Sequence, residues 1–580
     1  MEKEELARSQ SPSKIRTVKS SPTVEIHLPD GRILEGPRGC QIEEFLRDEQ
    51  SDAPIVGAIV NGLLKELTYP VEMESTVRPV TMDEPDGMRI YRRSLTFLLA
   101  ATFEELFPEA RLNVDHSVAS GGYFCQVSGR PPLNLEELGQ LKHRMSELVA
   151  LDQPFAKMEI SVEDAIAYFR SKGFEDKVRL LTHRRKPHMI FYLLGKHRDY
   201  HHGYMVPRTG YLKWFALILT GNGFTLQFPR RHRPVDLQPP PEYPKLLETF
   251  LRYGNWLERL GVANVGALND ALAENRGREL ILVAEALHEQ RISEIAAQIG
   301  RASDRIRVVL IAGPSSSGKT TFSKRLSIQL LALGMSPYPI ELDNFFVDRD
   351  KTPKDEDGQF DYESLHALDL ERLNHDLKEL TEGRAVQLPK YDFKNGHQGD
   401  GEVVQLDPGQ IMILEGIHGL NPDLLPGIPA ATTFRIYASA LTQLNLDRYN
   451  RVSTTDTRLI RRIVRDAAHR GYTAADTISR WESVRRGEKR YIFPFQENAD
   501  VMFNSALVYE GSALAPLAEP LLRQVPYGTA EHVEAKRLLA FLEWFLPVDS
   551  DLIPDNSILR EFTGGSILRD FVPWRAPRAD

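Results

Sequence analysis

The sequence predicts an α/β protein in which a parallel sheet follows a small β-rich module and an α+β domain. Three observations carry this. The apolar run 306–311 leads directly into Gly313-Pro-Ser-Ser-Ser-Gly318-Lys319-Thr320, and residues 321–333 have helical spacing. Two further apolar runs, 338–342 and 411–415, end beside Asp343 and at Glu415, and in a doubly wound sheet groups at the C-terminal strand ends line the ligand crevice. Near the start, Val24, Ile26 and Leu28 alternate with polar residues before the turn Pro29-Asp30-Gly31-Arg32, which is hairpin patterning.

The elements follow in order. Residues 1–22 are polar, Ser-rich and without apolar period, and are expected to be disordered. Residues 23–91 read as the β-rich module, with a helix near 42–47 and strands near 55–60 and 77–80. Residues 92–228 read as the α+β domain. Its helix at 92–107 carries Leu95, Leu98, Leu99, Phe103 and Leu106 on one stripe. Helices at 134–150 and 162–172 and strands at 189–194 and 215–219 complete it. Residues 229–304 begin with Pro229, Pro234, Pro239, Pro240, Pro241 and Pro244, a stiff linker, and continue as helices. The parallel-sheet domain is expected over 305–525. Residues 526–580 are left as a helix at 530–545 and an extended, Gly-Gly-containing end.

A chain of 580 residues with 42% apolar and 26% charged residues is long enough for several cores. Its net charge of -9 argues against general attraction to nucleic acid or anionic membrane. The two cysteines, Cys40 and Cys125, are too few for a disulfide framework. No run approaches a membrane span, and cytoplasm is the expected compartment.

The loop 313–320 has the spacing G-x-x-x-x-G-K-T. Glycines let the backbone curl so that its N–H groups point at phosphate oxygens, and the helix N-terminus adds partial positive charge. Gly313, Pro314, Ser315, Ser316, Ser317, Gly318, Lys319, Thr320 and Thr321 are therefore the candidate phosphate binders. Lys319 would bridge the outer phosphates of ATP and Thr320 would ligate Mg²⁺. Glu415 stands where a second magnesium ligand is expected. Asp343 could take the proton of an acceptor hydroxyl. Arg458, Arg461, Arg462 and Arg465 fall on one helical face by spacing, with Arg470 beyond. Such a face would repel itself without anions nearby, which suits a lid over triphosphate.

With these residues in view, 305–510 resembles the uridine/cytidine kinase and phosphoribulokinase family of P-loop kinases. The carrying motifs are 313–320, Leu-Asp-Asn-Phe-Phe (342–346), Phe-Asp-Tyr (360–362), Pro-Lys-Tyr-Asp-Phe (389–393), Leu-Glu-Gly-Ile (414–417), Arg-Arg-Ile-Val-Arg-Asp (461–466) with Arg470-Gly471, and Asn-Ala-Asp (498–500). The resemblance implies Asp343 as catalytic base, with Lys319 and Arg465 beside it. It implies Arg462 and Arg470 on the phosphates, and Asp361, Tyr391 and His397 on the acceptor. Phe346, Tyr472 and Arg480 depart from the uridine kinase pattern at substrate-facing positions. The expected activity is ATP-dependent phosphorylation of a small-molecule hydroxyl, first a nucleoside. The alternatives are another sugar or sugar phosphate, or an RNA- or ribosome-associated regulator that uses ATP as a switch.

Residues 23–91 resemble a TGS domain through Leu28-Pro-Asp-Gly31 and Val60-Asn61-Gly62. Residues 92–233 resemble the editing domain of threonyl-tRNA synthetases through Leu106-Phe-Pro-Glu-Ala110, Gly121-Gly-Tyr-Phe124 and His202-Gly-Tyr-Met-Val-Pro-Arg-Thr-Gly210. That family's helix-borne histidine pair is replaced by Arg93 and Phe97, and the later cysteine is missing from Asp199-Tyr-His-His202. His116, His201 and His202 remain. The segment is read as lacking editing chemistry. RNA binding, small-ligand binding and scaffolding of the kinase stay open for it, and a homo-oligomer stays open for the chain as a whole.

Overall fold

The computed structural model describes residues 21–118, 121–239, 242–355 and 358–573. The stretch expected to be disordered lies, up to residue 20, outside the described residues.

The first module is a five-stranded sheet in the order Ile33–Pro37, Thr23–His27, Ser75–Thr81, Ile55–Val60, Leu63–Lys65. Period-2 alternation puts Val24 and Ile26 inside, where they meet Ile42, Val60 and Val77. The helix expected at 92–107 begins earlier. It spans Pro85–Leu106, with proline in its first turn, where a missing N–H is no loss. The expected boundary at residue 91 therefore falls inside a helix. Val56, Met82 and Met88 share one core with Leu112, Phe224 and Leu226 of the next segment.

That segment holds a four-stranded antiparallel sheet, Ala216–Thr220, Gly223–Gln227, Gly122–Ser128, Arg111–Val118, and a three-stranded one, His197–Asp199, His188–Leu194, Ala156–Ser161. The helix Leu135–Ala150 starts on a capping box formed by Asn134 and Glu137.

The fourth sheet is wholly parallel, in the order Pro337–Glu341, Ile411–Glu415, Val308–Ala312, Thr433–Ser439, Val501–Asn504. Its central strand is buried along its whole length, as a sheet covered on both faces requires. A hairpin, Val386–Asp392 with His397–Val404, stands apart from it.

The helices Pro244–Leu260, Val265–Ala273 and Gly277–Arg301 are more than a connection. Ile281, Ile292 and Ile299 pack into the same core as Val309, Phe322 and Phe503. The end of the chain also differs from expectation. The helix Ala530–Leu542 is followed by a short helix, Arg560–Thr563, not an extended tail. Ile558, Leu559 and Phe562 are fully buried in that same core. They are apolar residues that need cover, and the parallel-sheet layer supplies it.

The two halves interlock. The loop between Thr433–Ser439 and the helix Thr454–His469 reaches into the preceding segment. Arg448 donates its N–H and guanidinium to Asp176, the backbone bond being 2.8 Å. Lys177 is fully buried between Asp199 and Asp447, at 3.0 and 3.2 Å. Tyr200 donates its hydroxyl to Asp447 at 2.7 Å. Burial pushes Asp199 up to about 6 despite Lys177. Burial also acts on Asp447, but Lys177 and several hydrogen bonds hold it below the carboxylate range. Among the described residues no helix is long and apolar enough to cross a membrane.

Candidate functional site

The site grows from the end of the central strand. A Cβ on Gly313 would sit 1.9 Å from the Ala438 carbonyl oxygen, so only glycine lets the loop turn there. Ser316 holds φ at 56°, a left-handed conformation that costs a non-glycine residue energy and marks a constrained loop. The chain then enters the helix Lys319–Ala332, whose first N–H groups have no partner within the helix. Residues 313–321 thus form one continuous strand–loop–helix.

Carboxylates of the protein itself hold these donors. Ser315 N–H donates to Glu488 Oε1 at 3.2 Å. Thr321 donates N–H and Oγ1–H to Glu561 Oε2 at 3.2 and 2.9 Å. Ile558 packs over Gly318, and Lys324 Nζ donates to the Leu568 and Arg569 carbonyls at 2.7 and 2.8 Å. The final segment is therefore stitched onto the phosphate loop. Oriented N–H groups meeting anions is the chemistry of a phosphate site.

Asp343 lies in the turn Leu342–Phe345, directly after the strand Pro337–Glu341. The residue is exposed, yet the surrounding protein raises its pKa, while Lys319 and Arg470 pull it down. Thr320 Oγ1–H donates to Glu415 Oε2 at 3.0 Å. Burial, with Asp343 nearby, pushes Glu415 up to about 7 against the pull of Lys319. A half-buried carboxylate and a hydroxyl at this spacing are hard oxygen donors, and the pair fits Mg²⁺, which takes few protein ligands beside phosphates.

Sequence reasoning missed Glu363. Burial and Glu488 push it up to about 7, with Arg462, Lys319 and Asp343 also close enough to act on it. Its side chain fills the space beside Gly487. No motif marked it, although it stands two positions after Asp361.

The acceptor-side candidates are only partly brought together. Asp361 accepts a hydrogen bond from Tyr491 at 3.0 Å. Tyr491 in turn meets the buried His418 ring edge-on at 6.0 Å. Tyr391 packs on Phe346 at 5.6 Å, and its N–H donates to Asn344, next to Asp343. His397 stands on the hairpin, 71% exposed, with its Nδ1 3.5 Å from Asp348 Oδ1. The two departures beyond the arginine helix touch each other: the Arg480 guanidinium lies 4.4 Å over the Tyr472 ring.

The arginine helix, Thr454–His469, corrects the expectation of a lid with four guanidiniums on one free face. Arg458 and Arg461 are fully buried. Arg458 pairs with Glu488 and donates to the Ser315 carbonyl at 2.8 Å. Arg461 pairs with Glu510. The anions that relieve their repulsion are thus internal carboxylates, and these two residues fix the loop from behind. Arg462 Nη1 donates to Ser315 Oγ at 2.8 Å, on the loop itself. Arg465 pairs with Asp466 at 2.8 Å, and Arg470 approaches the same carboxylate at 3.7 Å with half its side chain exposed.

In the preceding segment, Arg93 donates to the Tyr204 carbonyl at 2.5 Å and lies against Gly203. Phe97 packs edge-on to His197 at 4.8 Å and His201 at 5.6 Å. His116 stacks on Phe250 at 4.1 Å. Burial pushes His202 down to about 3. Burial also lowers His116 and His201, which pack as rings against their aromatic neighbours.

Residues 308–509 match the Phosphoribulokinase / Uridine kinase family. This part of the chain is a domain of that family. The kinase-family domain thus contains the loop, Asp343, Glu415 and the arginine helix, while Glu561 lies outside it. The N-terminal region is similar to threonine–tRNA ligases. The ligase of Polaromonas naphthalenivorans is 32% identical over 205 residues, covering 35% of this chain and 32% of the relative. That of Thermotoga maritima is 27% identical over 203 residues, covering 35% and 31%. The chain spans about a third of the length of the curated relatives it matches. A solved structure described as a "possible uridine kinase" from Bacillus stearothermophilus is 20% identical, covers 37% of this chain and 97% of its own, and gives a TM-score of 0.26. D-glycerate 3-kinase from Cryptococcus neoformans is 18% identical, covers 46% and 89%, and gives 0.20.

Proposed function

We propose that the protein transfers the γ-phosphate of ATP to a hydroxyl of a small molecule, a nucleoside first among acceptors. The observation that carries this reading is the convergence of Lys319, Asp343 and Glu415 at the C-terminal ends of adjacent parallel strands. Asp343 accepts the acceptor's proton as its oxygen attacks in line. Lys319 and Arg462 face the charge that develops on the transferred group, where preorganised cations act most strongly. Mg²⁺, held by Thr320 and Glu415, supplies charge neutralisation on the phosphate oxygens when bound. Asp361, held by Tyr491, and Tyr391 shape the acceptor side.

Labelled-ATP transfer across a panel of ribosides, free sugars and sugar phosphates tests it. Asp343→Asn should lower turnover by roughly a hundredfold or more. Absence of transfer to every acceptor, with Asp343→Asn matching the parent protein, would remove the proposal. A second reading, an RNA-associated regulator, is favoured by the ligase-like N-terminal region. RNA copurifying with the intact chain is its test. Deleting residues 1–233 would not serve, since Phe169, Phe191 and Tyr200 share a core with the kinase-family domain.

A further inference from the structure

Between the halves lies a seam of cations in which the protein pairs Arg231 but, among the described residues, neither Arg92 nor Lys489. Arg92 leaves the helix Pro85–Leu106 with its guanidinium 4.6 Å over the Phe228 ring. Its Nε is buried without a hydrogen-bond partner. Phe228 meets Tyr123 edge-on at 4.8 Å. Arg451, from the loop before the arginine helix, lies 4.8 Å over the other ring, Tyr123. Two guanidiniums therefore cover one aromatic pair, each held in place by cation–π attraction.

The chain after Phe228 continues Pro-Arg230-Arg231-His232-Arg233. Arg231 reaches across to pair with Glu482 on the helix Ala474–Tyr491. Lys489 lies further along the same helix at the i+7 position from Glu482, hence on the same face. Among the described residues neither Arg92 nor Lys489 has an ion pair. Surrounding protein and the charges of Arg231 and Arg485 push Lys489 down to about 8, with Arg92 also contributing. Burial pushes Arg92 down to about 10, with Arg231, Arg89 and Arg451 adding repulsion. Glu482 faces the cluster, and Arg231 already takes it.

Buried charge is costly unless paired. A half-buried guanidinium with an orphaned Nε, facing other cations from three separate segments, is a site built for an anion. Guanidinium forks match phosphate oxygens in pairs, and several converging positive groups call for more than one negative charge. We propose that Arg92, Arg231 and Lys489, with Arg451 at the edge, form a binding site for a phosphate-bearing anion that bridges the two halves of the chain. The site shares no residue with the phosphate loop and does not depend on the kinase reading. Its ligand is a free phosphorylated molecule or the phosphates of an RNA strand; the chemistry recognised is the same.

Isothermal titration of the full chain with inorganic pyrophosphate tests this, using Lys319→Ala to weaken the phosphate loop. The Lys319→Ala protein should still bind pyrophosphate at one site. Adding Arg92→Gln or Lys489→Gln should weaken that binding tenfold or more. Lys489 is solvent-accessible, so its variant keeps the fold even where Arg92→Gln does not. No binding by Lys319→Ala, or binding unchanged by Lys489→Gln and by a folded Arg92→Gln, would overturn the proposal. A single-stranded RNA oligonucleotide then separates the sources. Displacement of pyrophosphate by RNA, lost in Lys489→Gln, points to a strand, and failure to displace points to a free anion.

Discussion

Lys177→Met isolates the contact that ties the halves together. Lys177, Asp199 and Asp447 are each 0% exposed at the side chain. Methionine matches the length of lysine but leaves two buried carboxylates without a cation. Breaking a buried pair costs about 3–5 kcal/mol. Asp447 keeps hydrogen bonds from Tyr200, Tyr449 and Asn450, so it stays ionised. Asp199 accepts from the Tyr200 N–H, while its Oδ2 has no partner. Its pKa of about 6 already lies above the ordinary 3.8. A raised acid pKa means that the folded state holds the proton more tightly. The stability from that group is therefore complete below about 4 and is lost as pH rises through about 6. Removing the lysine raises Asp199 further and moves the loss to higher pH. The full ~3–5 kcal/mol should appear at pH ~8 and fall to roughly half at pH ~5.5, where Asp199 takes a proton. Urea unfolding followed by tryptophan fluorescence at both pH values reads this. A loss under ~1 kcal/mol at the higher pH, with an unchanged pH profile, would refute the reasoning. Lys177→Met with Asp199→Asn should recover part of the loss, because the charges leave together.

Other outcomes follow from the site. Glu561→Ala should tighten ATP binding about tenfold, or ~1.4 kcal/mol, because the nucleotide no longer displaces a carboxylate from the Thr321 N–H; calorimetric titration measures it. Gly487→Ala would place a Cβ 2.3 Å from the Glu363 Cβ. It should lower the melting temperature by the equivalent of about 1–3 kcal/mol and reduce transfer activity, as calorimetry and the labelled-ATP assay would show. Arg480→Gln, which removes the guanidinium from Tyr472, should change the KM for the acceptor several-fold while leaving that for ATP within about twofold; equal shifts in both would place the pair elsewhere.

What the sequence made legible is local. The run into Gly313–Thr320 and the acids after two apolar strands place Lys319, Asp343 and Glu415 because each lies within a residue or two of its own element's end. The hairpin at Asp30-Gly31 is likewise written in adjacent residues. Partners far apart in the chain were hidden. Helical spacing put Arg458 and Arg461 beside Arg462 but could not reveal that Glu488 and Glu510 bury them. Thr321 and Glu561 are 240 positions apart, and nothing near Glu561 resembles a motif. The helix expected from residue 92 starts at Pro85, inside the stretch read as part of the β-rich module. Tyr472 and Arg480 read as two separate departures, whereas their contact makes them one paired change.

The loop carrying Asp447 and Arg448 also bears on how the chain assembles. Arg448 meets Asp176 across 272 positions. Closing so large a loop is slow and entropically costly unless one side already stands. The N-terminal half is synthesised first, and its Asp176, Lys177 and Tyr200 are the groups this loop meets. Phe169, Phe191 and Tyr200 share one core with the kinase-family domain, so neither side of that core is complete until the loop is docked. In this chain the folding of the ligase-like half and that of the phosphate site are coupled through this shared core.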